Sequence, residues 1–465
     1  MSEVADATLG PVAPGGGEPV ASISARAQFD QLTAVGRRSG LALAIMVAGG
    51  ALAYASQVLL ARWMGVSEFG QYAYLIAWSS VLATPAGLGL SSAVLRFIPE
   101  YSAQGDWSRL RGMMAGSWRL TLAASIVLCA SATLLLCAVR PRGVVLSSSL
   151  LVGIWTVPLW ALLRLQTETS RAFNRIVLAY IPTNVVFHLL IIGECYAQWV
   201  RTHSLSCRSA LGLVAVALLV ILIVQLALLL RGLPTEVFRN RPTYETREWL
   251  SVSIQLLFIQ GFLVILNQTG ILMAGVMLDS QAVANYTVAA RTASLVSFVG
   301  AAVNTIAAPM IVRAHVQKDR QRLQRLAAAI AHCSFWPSLA GVLLLIVLRD
   351  RILGLFGPGY SPAAGATVIL ALGQLVTASA GSTSYLLNLT GHQARSAQVY
   401  GCCTVINIVL NAVGMILFGI VGAAAAMVLT TVLLNLWLHS LVVKRLGLVP
   451  SMACVLRRGS VAEGN

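Results

Sequence analysis

The sequence predicts an all-α integral membrane protein of about twelve transmembrane helices, arranged as two parallel-repeat lobes of six around a central cavity. Three observations predict this. Of the 465 residues, 57% are hydrophobic and 10% charged, which is not the make-up of an ordinary soluble domain. Apolar runs long enough to cross a hydrocarbon core of about 30 Å as helices recur along the chain. The chain also repeats itself. Phe69-Gly70-Gln71-Tyr72-Ala73-Tyr74 opens one run, and Val283-Ala284-Asn285-Tyr286-Thr287-Val288 opens another 214 residues later. Basic loops follow both, and Asp106 and Asp319 within them are 213 residues apart. A duplicated half running in one direction implies two bundles about a pseudo-two-fold axis along the membrane normal, with a site between them.

Taken in order, residues 1–36 are rich in Gly and Pro, hold too little apolar surface to order themselves, and are expected to form a disordered cytoplasmic tail. The first lobe covers 37–231, with spans at 39–61, 71–95, 114–138, 145–164, 176–198 and 209–230. Residues 232–248, with Pro234 and Pro242, read as a polar linker. The second lobe covers 249–445, with spans at 249–277, 282–309, 327–348, 363–388, 396–419 and 421–443, followed by a tail over 446–465. Pro85-Ala86-Gly87 and Gly381-Ser382 are expected to break or kink their spans. The turn Gly357-Pro358-Gly359 lies within Arg351–Tyr360, whose apolar residues suit the membrane interface.

The net charge of +16 invites a nucleic-acid reading, which its distribution rejects. With the amino terminus inside, 23 of the 32 Lys and Arg fall on the cytoplasmic side and 7 outside, and Arg119 and Arg291 lie within spans. This is the positive-inside pattern, and it places both termini in the cytoplasm. The eight cysteines show no metal-binding spacing. Cys195 and Cys207 flank one outward loop, where either a disulfide or two free thiols would fit.

Several short segments, in order and spacing, resemble a known group. Arg62-Trp63-Met64-Gly65-Val66-Ser67-Glu68-Phe69-Gly70-Gln71-Tyr72 is similar to the end of the first helix in polysaccharide flippases of the Wzx type. Leu95-Arg96-Phe97-Ile98-Pro99-Glu100-Tyr101 with Gly105-Asp106 resembles that family's second-to-third helix loop, and Ile352–Tyr360 a late-chain motif. The resemblance runs from about residue 35 to 445 and places the chain in the multidrug/oligosaccharidyl-lipid/polysaccharide exporter superfamily. It implies a two-lobed MATE/flippase-like fold in the bacterial inner membrane. The implied activity is alternating-access flipping of a polyprenyl-diphosphate-linked oligosaccharide for O-antigen, capsule or exopolysaccharide (lipopolysaccharide-type) biosynthesis. The implied partners are membrane lipids, with a glycan polymerase and glycosyltransferases nearby. The chain is expected to be a monomer that binds no nucleic acid.

Such a cargo needs cations for its diphosphate and a polar cavity for its sugars. Arg291 lies about eight residues into span eight, roughly 12 Å from its end. A charge at that depth either faces a water-filled interior or snorkels to the interface. Thr287, Ser294 and Thr305 share its face on an ideal helix. Arg119, close to a basic loop, either joins the cavity or snorkels. Arg62, Arg96 and Glu100 sit at the motif-bearing helix ends as gate candidates, with Arg96 and Glu100 spaced for an i,i+4 pair. Gln260 and Asn267 share one face of span seven, and Asn407 and Asn411 one face of span eleven; such stripes line a cavity or bond neighbouring helices. Tyr72 and Tyr286 read as aromatic anchors at the interface.

All sixteen Asp and Glu lie in the tail, in loops or near span ends. His188 in mid-span five is the candidate for protonation during transport, competing with a neutral packing role. No cofactor or metal is expected, and coupling to H⁺ or Na⁺ stays open. The scarcity of intramembrane carboxylates disfavours an ion-coupled drug or metabolite exporter. Short outward loops disfavour a membrane glycan polymerase or ligase, and no Gly-Lys-Ser/Thr loop is present to hydrolyse ATP.

Overall fold

The computed structural model describes residues 20–139, 148–317, 319–381, 383–389 and 393–446. Among them it is all helical, without strands. The first half comprises α1 (Val20–Ala86), α2 (Leu90–Gln104), α3 (Trp107–Val139), α4 (Ser148–Trp155), α5 (Val157–Ala172), α6 (Ile176–Ile181), α7 (Phe187–Thr202) and α8 (Cys207–Arg231). The short α9 (Thr235–Arg239) lies in the linker. The second half comprises α10 (Thr246–Met277), α11 (Ser280–Ser294), α12 (Ser297–Val316), α13 (Arg320–Gly354), α14 (Ala363–Ser379), α15 (Thr383–Leu389) and α16 (Gln393–Leu446). The tail segments 1–19 and 447–465 lie outside the described residues, while residues 20–36, expected in the tail, belong to α1.

Eight helical stretches among the described residues are long and apolar enough to cross a membrane, and α11 with α12 makes a ninth, bent by 42°. Two of the eight fold back on themselves. The stretch Leu43–Ala86 turns at Gly65, where φ is 75° and ψ 170°, and α16 turns at Gly419, where φ is 58°. Positive φ costs glycine nothing, so Gly65 joins two spans without a loop. The apolar residues left outside identify the solvent: Leu134 is 69% exposed, Val347 79% and Ile416 72%. Large apolar side chains so exposed on an outer surface belong against acyl chains, so this is a multi-pass membrane protein.

The expected breaks occur. The first span pair ends at Ala86, Leu88 and Gly89 take left-handed φ of 49° and 71°, and α2 restarts at Leu90. Gly381 has φ 66° between α14 and α15, and Ser382 lies outside the described residues. A further break at 295–296 separates α11 from α12, so Thr305 sits on a different limb from Arg291 and not on its face as an ideal helix predicts.

The halves meet at two ends. At the Gly65 end, the Ser67 and Ser280 hydroxyls are 3.0 Å apart. A Cβ at Gly70 would strike the Ser280 carbonyl, so only glycine lets the two helix starts cross this closely. The Arg351–Tyr360 segment, expected to lay its apolar residues in the membrane interface, packs them into this seam instead. Phe356 and Tyr360 are buried beside Phe69, the Phe356 ring meets Tyr54 edge-on at 5.6 Å, and the Arg62 Nε–H donates to the Leu355 carbonyl at 2.5 Å. At the other end the linker is clasped to the start of α3. Arg111 donates to the carbonyls of Phe238 and Asn240 at 2.7 and 2.8 Å, Arg109 pairs with Glu245 at 2.9 Å, and the buried Trp249 donates to the Tyr101 hydroxyl at 3.1 Å.

Candidate functional site

A cavity of about 400 Å³ opens between the first half and α10. Its walls are Ser80 of α1, Trp160, Arg164 and Thr167 of α5, Thr183 from the segment joining α6 to α7, and Asn267 with Gln268 of α10. The shape of that wall follows from local backbone. Pro182 withholds an N–H, and Pro182–Val186 winds as a π turn, the kind of bulge that recurs at functional positions. The widened turn packs against Gly49 and aims Thr183 into the cavity.

Arg164 is the residue that the sequence reading missed. It closes the expected span 145–164, where the apolar run stops at Leu163 and Gln166–Ser170 is wholly polar. The helix continues to Ala172, two turns further. Arg164 donates to the Thr84 hydroxyl and the Gln260 carbonyl, each at 3.4 Å, so the predicted cavity residues Gln260 and Asn267 cluster around a cation not named with them. The nearby acid, Glu168, is held by Arg171 at 2.6 Å.

Arg291 occupies a second polar position. From Val283 to Ala289 every residue of α11 is buried, and so are Thr292 and Ala293, yet Arg291 between them is exposed. A helix enclosed in this way reaches open space through an interior gap, and the Arg291 charge acts on His188 and on the buried Tyr72 of the first half. Among the described residues no acceptor or carboxylate is bonded to its guanidinium. Beside it, Thr292 bonds Tyr54 of α1 at 3.1 Å, and Thr287 is buried with its hydroxyl unpartnered. The Ser294 hydroxyl is turned back onto the Arg291 carbonyl at 2.7 Å. His188 Nδ1 lies 3.1 Å from the Ser56 hydroxyl, which itself donates to Ala53, so Nδ1 carries the proton and donates.

Other candidates fall elsewhere. Arg119 reaches the linker, donating to the Tyr244 hydroxyl at 3.0 Å with its guanidinium over that ring. Asn407 and Asn411 are fully buried; Asn407 donates to Thr430 across the α16 hairpin at 3.0 Å, and Asn411 to the Asn407 carbonyl. Asn407 thus ties the two limbs of α16 together away from the cavity wall, while Asn411 bonds within its own limb. Arg96 lies over the Phe97 ring at 5.4 Å and makes no ion pair with Glu100, both being exposed. Cys195 and Cys207 are free and buried. Tyr72 and Tyr286 are not interfacial anchors: both are buried, Tyr286 against Gly270 of α10.

Comparison with known proteins agrees with this architecture. A family model described as "Polysaccharide biosynthesis protein" matches residues 37–315, and a MatE model matches 256–413. The chain is 24% identical over 426 residues to the probable low-salt glycan biosynthesis flippase Agl15 of Haloferax volcanii, covering 84% of this chain and 80% of that one. Among solved structures it resembles an inward-facing multidrug resistance MATE family transporter at TM-score 0.66 and 15% identity, over 84% of this chain and 94% of the other. It resembles the lipid II flippase MurJ equally, at TM-score 0.66 and 15% identity, over 86% and 87%. At such identities the structures establish the fold, and the family model covers more than half of the chain. The chain belongs to the polysaccharide biosynthesis protein family, and its fold is the one shared by MATE transporters of the multidrug/oligosaccharidyl-lipid/polysaccharide exporter (MOP) superfamily and the lipid II flippase MurJ.

Proposed function

We propose that the protein moves a polyprenyl-diphosphate-linked oligosaccharide from the cytoplasmic to the outer leaflet of the cytoplasmic membrane, by alternating access between its two halves. The observation that carries the reading is Arg291, a guanidinium without counter-ion, open to the interior of the bundle. A cation there is costly unless an anion arrives, and a diphosphate is the anion that a lipid-linked glycan brings. The basic linker faces the cytoplasm in this reading, and the Ser67–Ser280 seam closes the outer side. Agl15 and MurJ, named as flippases, support the assignment of cargo. Moving such a cargo makes no covalent bond, so the chain works as a carrier and not as an enzyme.

The test is a deletion strain complemented with variants, scored for lipid-linked glycan trapped on the cytoplasmic face. Arg291→Ala is expected to trap it at normal protein level, and Arg291→Lys to trap less. Parental export by both variants would remove Arg291 from the cargo path.

A further inference from the structure

We propose that the Arg164 cavity is a sugar subsite that takes a carboxylate-bearing ring, so that the glycan carried is acidic; this deepens the flippase reading and rests on it. The site has the makings of sugar recognition. The Trp160 ring forms one wall, a surface on which the apolar face of a pyranose can lie. The Trp160 indole N–H and the Thr167 hydroxyl are buried and have no hydrogen-bond partner in the protein. Buried polar atoms are nearly always satisfied, and ring hydroxyls, each a donor and an acceptor, satisfy both kinds. Ser80, Thr183 and Asn267 add polar contacts around the rim.

Charge then narrows the ligand. Arg164 hydrogen-bonds only neutral oxygens, both at 3.4 Å, and Glu168, whose charge also acts on it, is ion-paired to Arg171, so the three groups together keep one unbalanced positive charge. A neutral sugar would leave that charge uncompensated inside the membrane. A diphosphate carries at least two negative charges, and Arg291 is absent from this cavity's wall, so the diphosphate is poorly matched here. One carboxylate neutralises one guanidinium, and the planar fork accommodates it with two parallel bonds. The two cations thus divide the cargo, Arg291 taking the diphosphate and Arg164 an acidic sugar.

The test titrates the detergent-solubilised full-length protein with a glucuronic-acid-containing disaccharide, its carboxyl-reduced counterpart, and farnesyl diphosphate. The parent is expected to bind the acidic disaccharide about ten-fold more tightly than the reduced one. Arg164→Gln should abolish that preference, and Arg164→Lys should keep part of it, since the charge stays and the fork is lost. Arg291→Gln should keep the preference and weaken farnesyl diphosphate. Equal binding of the two disaccharides by the parent, binding of neither, or a preference that survives Arg164→Gln at an unchanged melting temperature overturns the subsite. Farnesyl diphosphate separates the two claims: if it binds while the preference is missing, only the subsite falls, and if it also fails to bind, the lipid-diphosphate reading falls with it.

Discussion

The Ser67 and Ser280 hydroxyls are 3.0 Å apart, and the residues are 213 positions apart in the chain. The repeat intervals are 214 at the adjacent Phe69 and Val283 and 213 at Asp106 and Asp319, so points equivalent to within one residue touch each other. Only points near a two-fold axis can meet their own equivalents. The pseudo-symmetry axis therefore passes through this seam, where α11 begins against the second limb of α1. Cysteines at both positions, in a background where exposed Cys137, Cys333 and Cys402 are serine, are expected to cross-link on oxidation. If the seam must part during transport, the cross-linked protein will not export glycan, and reductant will restore export. Full export by the cross-linked protein would show that the seam stays shut.

Gly70 supports the same crossing sterically, because any side chain there meets the Ser280 backbone. Gly70→Leu is expected to cost about 1–3 kcal/mol by overpacking. The measurement is the melting temperature in detergent, with Gly193→Leu as control, since a Cβ at Gly193 meets nothing within 4 Å.

At the linker end, Trp249 is fully buried and its indole donates to Tyr101. Trp249→Phe keeps most of the packing and removes the bond, so a loss of about 1 kcal/mol is expected. In a double-mutant cycle with Tyr101→Phe the losses should be strongly non-additive, because the second substitution removes a partner already gone.

These relationships were unequally legible in the sequence. The repeat interval placed the axis contact within reach, because symmetry constrains position without reference to packing. Arg164 escaped because hydropathy marks where apolar residues end, while a helix ends where its hydrogen bonds do. The Arg164, Glu168, Arg171 spacing of four and then three is helical and was the available signal. The burial of Tyr72 and Tyr286 was hidden for a related reason: a tyrosine near a span end looks alike whether it faces headgroups or a neighbouring helix. The break after Ser294 has no Pro and no Gly at 295–296 to announce it.

Asn267 and Asn407 are alike in sequence, each an amide within an apolar span, and the structure gives them opposite duties. Asn407 is fully buried and bonded to Thr430, so Asn407→Ala breaks a helix-to-helix bond, while the Thr430 hydroxyl keeps its bond to the Ala426 carbonyl. Interhelical hydrogen bonds in membranes are worth about 0.6 kcal/mol on average, and the lost side-chain packing adds to this. Its melting temperature should fall, with transport per folded molecule unchanged. Asn267 is exposed and lines the cavity, and its amide N–H donates to the Leu263 carbonyl of its own helix at 2.7 Å, so it ties no second helix. Asn267→Ala should therefore leave the melting temperature within error of the parent and lower glycan export. Measuring both quantities on both variants decides the matter: if Asn267→Ala destabilises and Asn407→Ala selectively impairs export, the cavity has been drawn around the wrong amide.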